Sequence, residues 1–188
     1  MTTHINSGVA QRTSRTLGSA RVLDACCGSR MFWFDKNHPD ALFIDKREET
    51  HTLCDGRTLA VEPDMVADFT DLPFPAERFN LVVFDPPHLV RAGDKSWMKA
   101  KYGKLEGNWE DDLRRGFAEC FRVLQPNGTL IFKWNETQIP VSRILRLTPV
   151  RPLFGNRCGK SAKSHWVVFI KQNAEHHARP VAKRKDVA

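Results

Sequence analysis

The apolar run Leu81-Val82-Val83-Phe84 stops at Asp85-Pro86-Pro87-His88. These residue types suit the holding of an amino group. A strand that ends on an acid and two prolines brings a carboxylate and a free backbone carbonyl to the edge of a sheet, and an amine needs those two acceptors. Proline donates no backbone hydrogen bond and confines the residue before it to extended geometry, so the Asp85 carboxylate and the Pro86 carbonyl can face the same space. The same tetrapeptide also reads as a plain strand terminator, because proline punctuates strand ends.

Three further acids stand at the ends of short apolar runs. Asp24-Ala25-Cys26-Cys27-Gly28-Ser29 follows Val22-Leu23, and its small residues let backbone come close to a ligand. Asp45 closes Phe43-Ile44 seventeen residues after Gly28, where a carboxylate can accept from both hydroxyls of a ribose. Asp68-Phe69 closes the third run and offers a carboxylate or backbone group beside a ring to the edge of an adenine. The first loop has one glycine and is not a G-x-G-x-x-G phosphate loop, so a dinucleotide pyrophosphate has little to rest on. Acids at strand ends are commonly turn residues, but four in series at such spacing outline one crevice.

The elements that must position these groups follow from periodicity. Runs at 21–25, 41–45, 64–68 and 79–85 are short, apolar and bounded by turns, as strands buried on both faces are. Residues 108–124 carry Leu113, Phe117, Cys120, Phe121 and Leu124 at helical spacing, and Gln125-Pro126-Asn127-Gly128 ends the helix. A strand at 129–134, a short helix at 137–147, a weak strand at 149–154 and a last strand at 165–171 complete the series. Alternating β and α units predict a doubly wound parallel sheet, and a last pair joined without a helix predicts an antiparallel member. Ligands of such sheets lie at the carboxyl ends of the strands.

Composition sets the outer limits. At 188 residues, 41% hydrophobic, the chain suits one compact domain at 21–172. The polar segments 1–20 and 173–188 are expected to be mobile. No apolar run approaches the ~20 residues of a membrane span, residues 1–20 lack a signal-peptide core, and a cytoplasmic location is expected. The five cysteines (Cys26, Cys27, Cys54, Cys120, Cys158) are scattered, with no C-x-x-C, so packing roles are expected rather than disulfides or a metal site. Of the net charge of +7, residues 143–188 hold eleven Lys and Arg against two acids. That surplus favours a polyanionic partner, although a solvated basic surface would look the same.

Taken together, Val22-Leu23-Asp24-Ala25-Cys26-Cys27-Gly28, Phe43-Ile44-Asp45, Ala67-Asp68-Phe69 and Asp85-Pro86-Pro87-His88 resemble the Rossmann-like S-adenosylmethionine-dependent methyltransferases. Within them the chain is similar to amino-methyltransferases with a D/N/S-P-P-Y/F/W/H signature, small phage- or prophage-encoded DNA adenine methylases above all. The likeness covers about residues 20–172, with Phe132-Lys133-Trp134 and Ser164-His165-Trp166 at the places of the fifth and last strands. It implies a mostly parallel seven-stranded sheet with an antiparallel last strand and helices on both faces. It also implies S-adenosylmethionine as cofactor: Asp24, Ala25, Cys26 and Gly28 along the methionine part, Asp45 on the ribose, Asp68 and Phe69 on the adenine. Asp85 and Pro86, with Pro87 behind them, would bind the target amine, and His88 would stack on a flipped base. The chain departs from the family in lacking the second glycine of D-x-G-x-G and in carrying His at the fourth motif position.

For substrate, the expectation is N6 of adenine in DNA. The segment 90–107 mixes basic and aromatic residues, and its Arg91, Lys95, Lys99 and Lys101 are candidate phosphate contacts; Arg157, Lys160 and Lys163 could add a second set. The alternatives are an RNA base or a protein amide as methyl acceptor, a nucleic-acid-binding module without chemistry, and a dinucleotide oxidoreductase, which the missing glycines disfavour. No metal and no membrane partner is expected.

Overall fold

A computed structural model of the chain describes residues 18–53, 55–93, 96–157 and 163–173. Its strands are β1 (Val22–Asp24), β2 (Ala41–Asp45), β3 (Glu49–Thr52), β4 (Thr58–Val61), β5 (Met65–Val66), β6 (Phe79–Phe84), β7 (Leu124–Asn135), β8 (Phe154–Arg157) and β9 (Ser164–Ile170). Its helices are α1 (Trp97–Tyr102), α2 (Trp109–Val123) and α3 (Val141–Ile144), the last running into a 3₁₀ turn over Leu145–Leu147.

Seven strands form one sheet in the order β5-β2-β1-β6-β7-β9-β8. β1 runs parallel to β2 and β6, as do β2 to β5 and β6 to β7. β9 is antiparallel to both β7 and β8. The chain therefore winds outward from β1 to β5, crosses to β6 and winds outward the other way. Strand order reverses between β1 and β6, which is where a doubly wound sheet opens its ligand crevice. The loops that flank this crevice are the ones after Asp24 and after Phe84.

Side-chain alternation builds the core. Leu23, Leu42, Ile44, Val82, Phe84, Leu130, Phe132, Trp134, Val167 and Phe169 point to one face and are buried there. α2 lays Leu113, Gly116, Phe117, Cys120 and Val123 on that face, and Phe117 meets Phe84 and Phe132 at ring distances of 5.4 and 5.0 Å. The opposite face holds a smaller cluster, Cys27, Ala41 and Phe43 with Val22 and Trp33.

The structure departs from expectation in four places. First, α2 and α3 lie on connections running in one direction along the sheet, and right-handed crossovers put those on one face. The β1–β2 and β2–β5 connections, which helices on the second face would have to occupy, are among the described residues a turn-rich loop and the β3–β4 hairpin. Residues 30–40 have no helical period and contain Pro39. Instead the Arg30 guanidinium ties that loop down, donating to the carbonyls of Lys36 and Glu62 and to Asp64 while lying 4.0 Å from the Phe43 ring centroid. Second, the Gln125–Gly128 turn is an irregularity inside β7, which begins at Leu124. Third, β8 starts at Phe154, not 149. Fourth, part of the loop expected at 90–107 is the helix α1. The expected terminal segments 1–20 and 173–188 fall almost wholly outside the described residues, as do Cys54 and Cys158. Among the described residues no helix is long and apolar enough to cross a membrane.

Candidate active site

The first loop is sewn across the crevice. Ala25 N–H donates to the Val83 carbonyl (2.9 Å), Cys27 N–H to the Ile44 carbonyl (2.9 Å) and Gly28 N–H to Asp45 Oδ2 (3.0 Å). Gly28 holds φ +49°, and a Cβ there would meet nothing within 4 Å. The conformation needs glycine, and open space lies in front of it.

Asp24 lies differently from the position the resemblance implies. It is wholly buried beneath the loop, with Oδ2 accepting from the Trp33 indole N–H (2.7 Å) and Oδ1 from the Cys26 N–H (3.2 Å). Its role is to fix the loop from below; it does not line the cavity. Burial, with Asp85 and Asp45 nearby, pushes its carboxyl up to about 7 against the two hydrogen bonds. Folding therefore favours the protonated acid: that stabilisation is whole below the ordinary Asp range and is lost as pH rises toward 7. Melting of Asp24→Asn should accordingly fall less between pH 5 and pH 8 than melting of the wild type, by about 5 °C or more. Parallel slopes would place the proton elsewhere.

Asp45 is buried at the tip of β2. Oδ1 accepts from the Arg47 N–H (3.0 Å) and Nε (3.2 Å), and Oδ2 from Gly28. A carboxylate oxygen takes two such bonds readily, so Oδ2 keeps one acceptor site toward the cavity. A second ribose hydroxyl would have to displace Arg47. The Arg47 guanidinium also donates to Glu49 and to the Ala100 carbonyl of α1, joining this wall to the helix over the mouth.

Asp68 stands aside. It accepts from the Thr70 N–H and faces Lys46 at 3.6 Å, 42% exposed and off the cavity lining. Phe69 does line the cavity and is buried against Phe84. Gly116 of α2 makes room for it: a Cβ there would lie 2.7 Å from Phe69 and 2.8 Å from Phe84. Gly116→Ala gains helix propensity of up to about 1 kcal/mol but overpacks the wall by about 1–3 kcal/mol. A net loss of stability is expected in a thermal melt, as Phe69 is pushed toward the cavity.

Asp85 meets a partner 48 residues further along the chain. Lys133 Nζ lies 2.5 Å from Asp85 Oδ2, the two side chains being 21% and 18% exposed. Burial raises the Asp85 carboxyl and the lysine counters it. Pro86 is buried, and Pro87 packs against Gly103. His88, expected to stack on a base, is buried between Tyr102 (5.2 Å between rings) and Trp134 (6.4 Å). Burial and the Lys133 charge push it down to about 4, so it is neutral at physiological pH.

These groups share one cavity of about 640 Å³, whose wall includes Ala25, Cys26, Gly28, Asp45, Phe69 and Asp85 through His88. That is the size of a site for a nucleoside-sized ligand. Of the expected phosphate contacts, Lys99 and Lys101 line its mouth. Arg91 is exposed and off the lining, its backbone gripped by the Gln138 side chain. Lys163 is exposed beside the start of β9 and does not line the cavity, and Arg157 is the last residue of β8. Lys95 and Lys160 lie outside the described residues. Sequence reasoning missed Lys133, Arg47, Trp33 and Phe32. A lysine between Phe132 and Trp134 in a central strand was the available signal, because such a charge needs a partner.

No family model and no curated protein matches the chain. Similar solved structures include the N-methyltransferase NodS of Bradyrhizobium japonicum, at 16% identity and TM-score 0.49 over 89% of this chain and 96% of that one. Another is the 1,6-didemethyltoxoflavin-N1-methyltransferase of Burkholderia thailandensis, with 1,6-didemethyltoxoflavin and S-adenosylhomocysteine bound, at 13% and 0.49 over 90% and 80%. A third is a TehB-like SAM-dependent methyltransferase of Corynebacterium glutamicum, at 14% and 0.49 over 86% and 88%.

Proposed function

We propose that the chain is an S-adenosylmethionine-dependent methyltransferase acting on an exocyclic amino group of a nucleic-acid base, with N6 of adenine in DNA as its substrate. The observation that carries this is the pairing, across the switch point of the sheet, of a carboxylate fit for a ribose with an Asp-Pro-Pro clamp fit for an amine. The donor set suits the cofactor. Asp45 Oδ2 offers an acceptor to a ribose hydroxyl, Phe69 a ring wall to an adenine, and the Gly28 backbone close approach to the methionine part. Two carboxylates, Asp45 and Asp85, lie close enough to Asp24 to raise its carboxyl. Such a field favours a cationic sulfonium over an anionic pyrophosphate.

When bound, the cofactor supplies an electrophilic methyl and leaves as a thioether. The remaining work is done by the chain's own groups. An exocyclic amine conjugates its lone pair into the ring and is a poor nucleophile. Hydrogen bonds from its two N–H groups to the Asp85 carboxylate and the Pro86 carbonyl pyramidalise the nitrogen and aim its lone pair, an orientation and electrostatic effect. No base is needed beforehand, because the methylated nitrogen carries a positive charge that makes its remaining protons acidic, and one of them passes to solvent. Neutral His88 backs the clamp, and Tyr102 beside it offers a further face to a base.

A duplex base must leave the stack to enter the cavity, and Lys99 and Lys101 on α1 stand where its phosphates would pass. Titration with S-adenosylmethionine, and with NAD as the contrast, tests the cofactor; equal or preferential binding of NAD would reverse the reading. DNA binding should weaken steeply between 50 and 200 mM salt. Binding indifferent to salt would remove the basic mouth from the account.

A further inference from the structure

Lys133 is a lysine at the centre of a mostly apolar sheet. Its ammonium is enclosed on three sides: Asp85 Oδ2 at 2.5 Å, the Phe32 ring centroid at 5.4 Å and the Trp166 ring centroid at 5.7 Å. Phe32 and Trp166 meet edge to face at 5.4 Å, so the two rings brace one another. The three members of this box come from the first loop, β7 and β9, and Asp85 follows β6. Register explains the meeting, because Phe84 pairs with Phe132 and brings the next residues, Asp85 and Lys133, side by side. A cation between two aromatic faces and a carboxylate has few other positions to adopt. An ion pair in a half-buried place costs desolvation that it need not repay in stability, so its cage asks for a reason.

We propose that Lys133, held by the Phe32 and Trp166 rings, is a positioning residue that engages Asp85 Oδ2 and thereby fixes the carboxylate with Oδ1 left as the acceptor for the substrate amine. The proposal rests on the amine-clamp reading of Asp85. A free carboxylate can rotate and present either oxygen, or turn away; one bound at Oδ2 presents a single acceptor in one place. The lysine also offsets the burial that would otherwise protonate Asp85 and turn an acceptor into a donor. The other groups near Asp85 do not supply that charge: from the first loop come Asp24 and Cys26, and from its own loop comes neutral His88.

Substitution of Asp85 by asparagine makes the orientation visible. With Lys133 present, the amide oxygen of Asp85→Asn must turn to the ammonium, which leaves its NH₂ facing the amine, donor against donor. Asp85→Asn should therefore be as inactive as Asp85→Ala, and adding Lys133→Met should raise its activity about tenfold by freeing the amide to turn. Lys133→Met alone should lower kcat by tenfold or more at pH 7 with cofactor affinity changed less than twofold. It should also move the acid limb of the pH profile upward, and Lys133→Arg should restore both in part. A double variant no more active than Asp85→Asn, or an unmoved pH profile in Lys133→Met, would overturn the proposal.

A carbon-13 NMR titration of the Asp85 carboxyl in wild type, Lys133→Met and Lys133→Arg needs no substrate, and thermal melts confirm folding of each variant. A midpoint that rises in Lys133→Met and returns in Lys133→Arg supports the coupling, and an unmoved midpoint overturns it. A midpoint that moves in a protein unable to methylate any amine would overturn the amine-clamp reading while upholding the Lys133–Asp85 pair.

Discussion

Replacing Asp85 by alanine is expected to lower single-turnover methyl transfer by about a thousandfold, the scale on which loss of one preorganised polar contact at a reacting centre is felt. The change removes the charged acceptor for one amine N–H and leaves Pro86 to hold the other, so the nitrogen is neither pyramidalised nor aimed. Cofactor affinity should stay within a few-fold, because Asp45, Gly28 and Phe69, the residues proposed to hold the cofactor, are left in place. Lys133 is left unpaired at 21% exposure, and a cost of about 1–3 kcal/mol is expected. A melt must therefore show the variant folded at the assay temperature. An Asp85→Ala protein that transfers methyl groups at the wild-type rate would contradict the clamp.

The second large effect belongs to the other side of the cavity. Asp45→Ala should weaken S-adenosylmethionine by about a hundredfold in a calorimetric titration. Hydrogen bonds to a charged group contribute about 1.5–3 kcal/mol each, and this substitution removes the one proposed to reach the ribose and loosens Gly28, which Asp45 also holds. Arg47 loses its bond to Asp45 but keeps Glu49 and the Ala100 carbonyl of α1, both at 3.1 Å. With cofactor at saturation, most of the methyl-transfer rate should return. Unchanged affinity would mean that the ribose lies elsewhere.

The contrast between Asp85 and Lys133 shows how far the sequence reaches. Six of the sheet's seven strands, all but β8, are legible because buried strands are short apolar runs, and the acids at the ends of four of them followed. β3 escaped notice because Glu49-Thr50-His51-Thr52 is polar on both faces and gains its place only by pairing with β4. Lys133 meets Asp85 across 48 residues of chain through the β6–β7 register, which no local pattern specifies. Asp24 looked like a ligand residue because its position at a strand end is right; the Trp33 indole that closes over it arrives from a loop without periodicity. The burial of His88 is as little legible locally, since the rings beside it belong to α1 and β7.

Incubation of the protein with methyl-labelled S-adenosylmethionine and unmethylated DNA, followed by digestion and nucleoside analysis, tests the central claim most directly. The account predicts label in N6-methyladenine from the wild type and none above background from Asp85→Ala. Label on a carbon or a ring nitrogen, or label on DNA that survives Asp85→Ala undiminished, would contradict it.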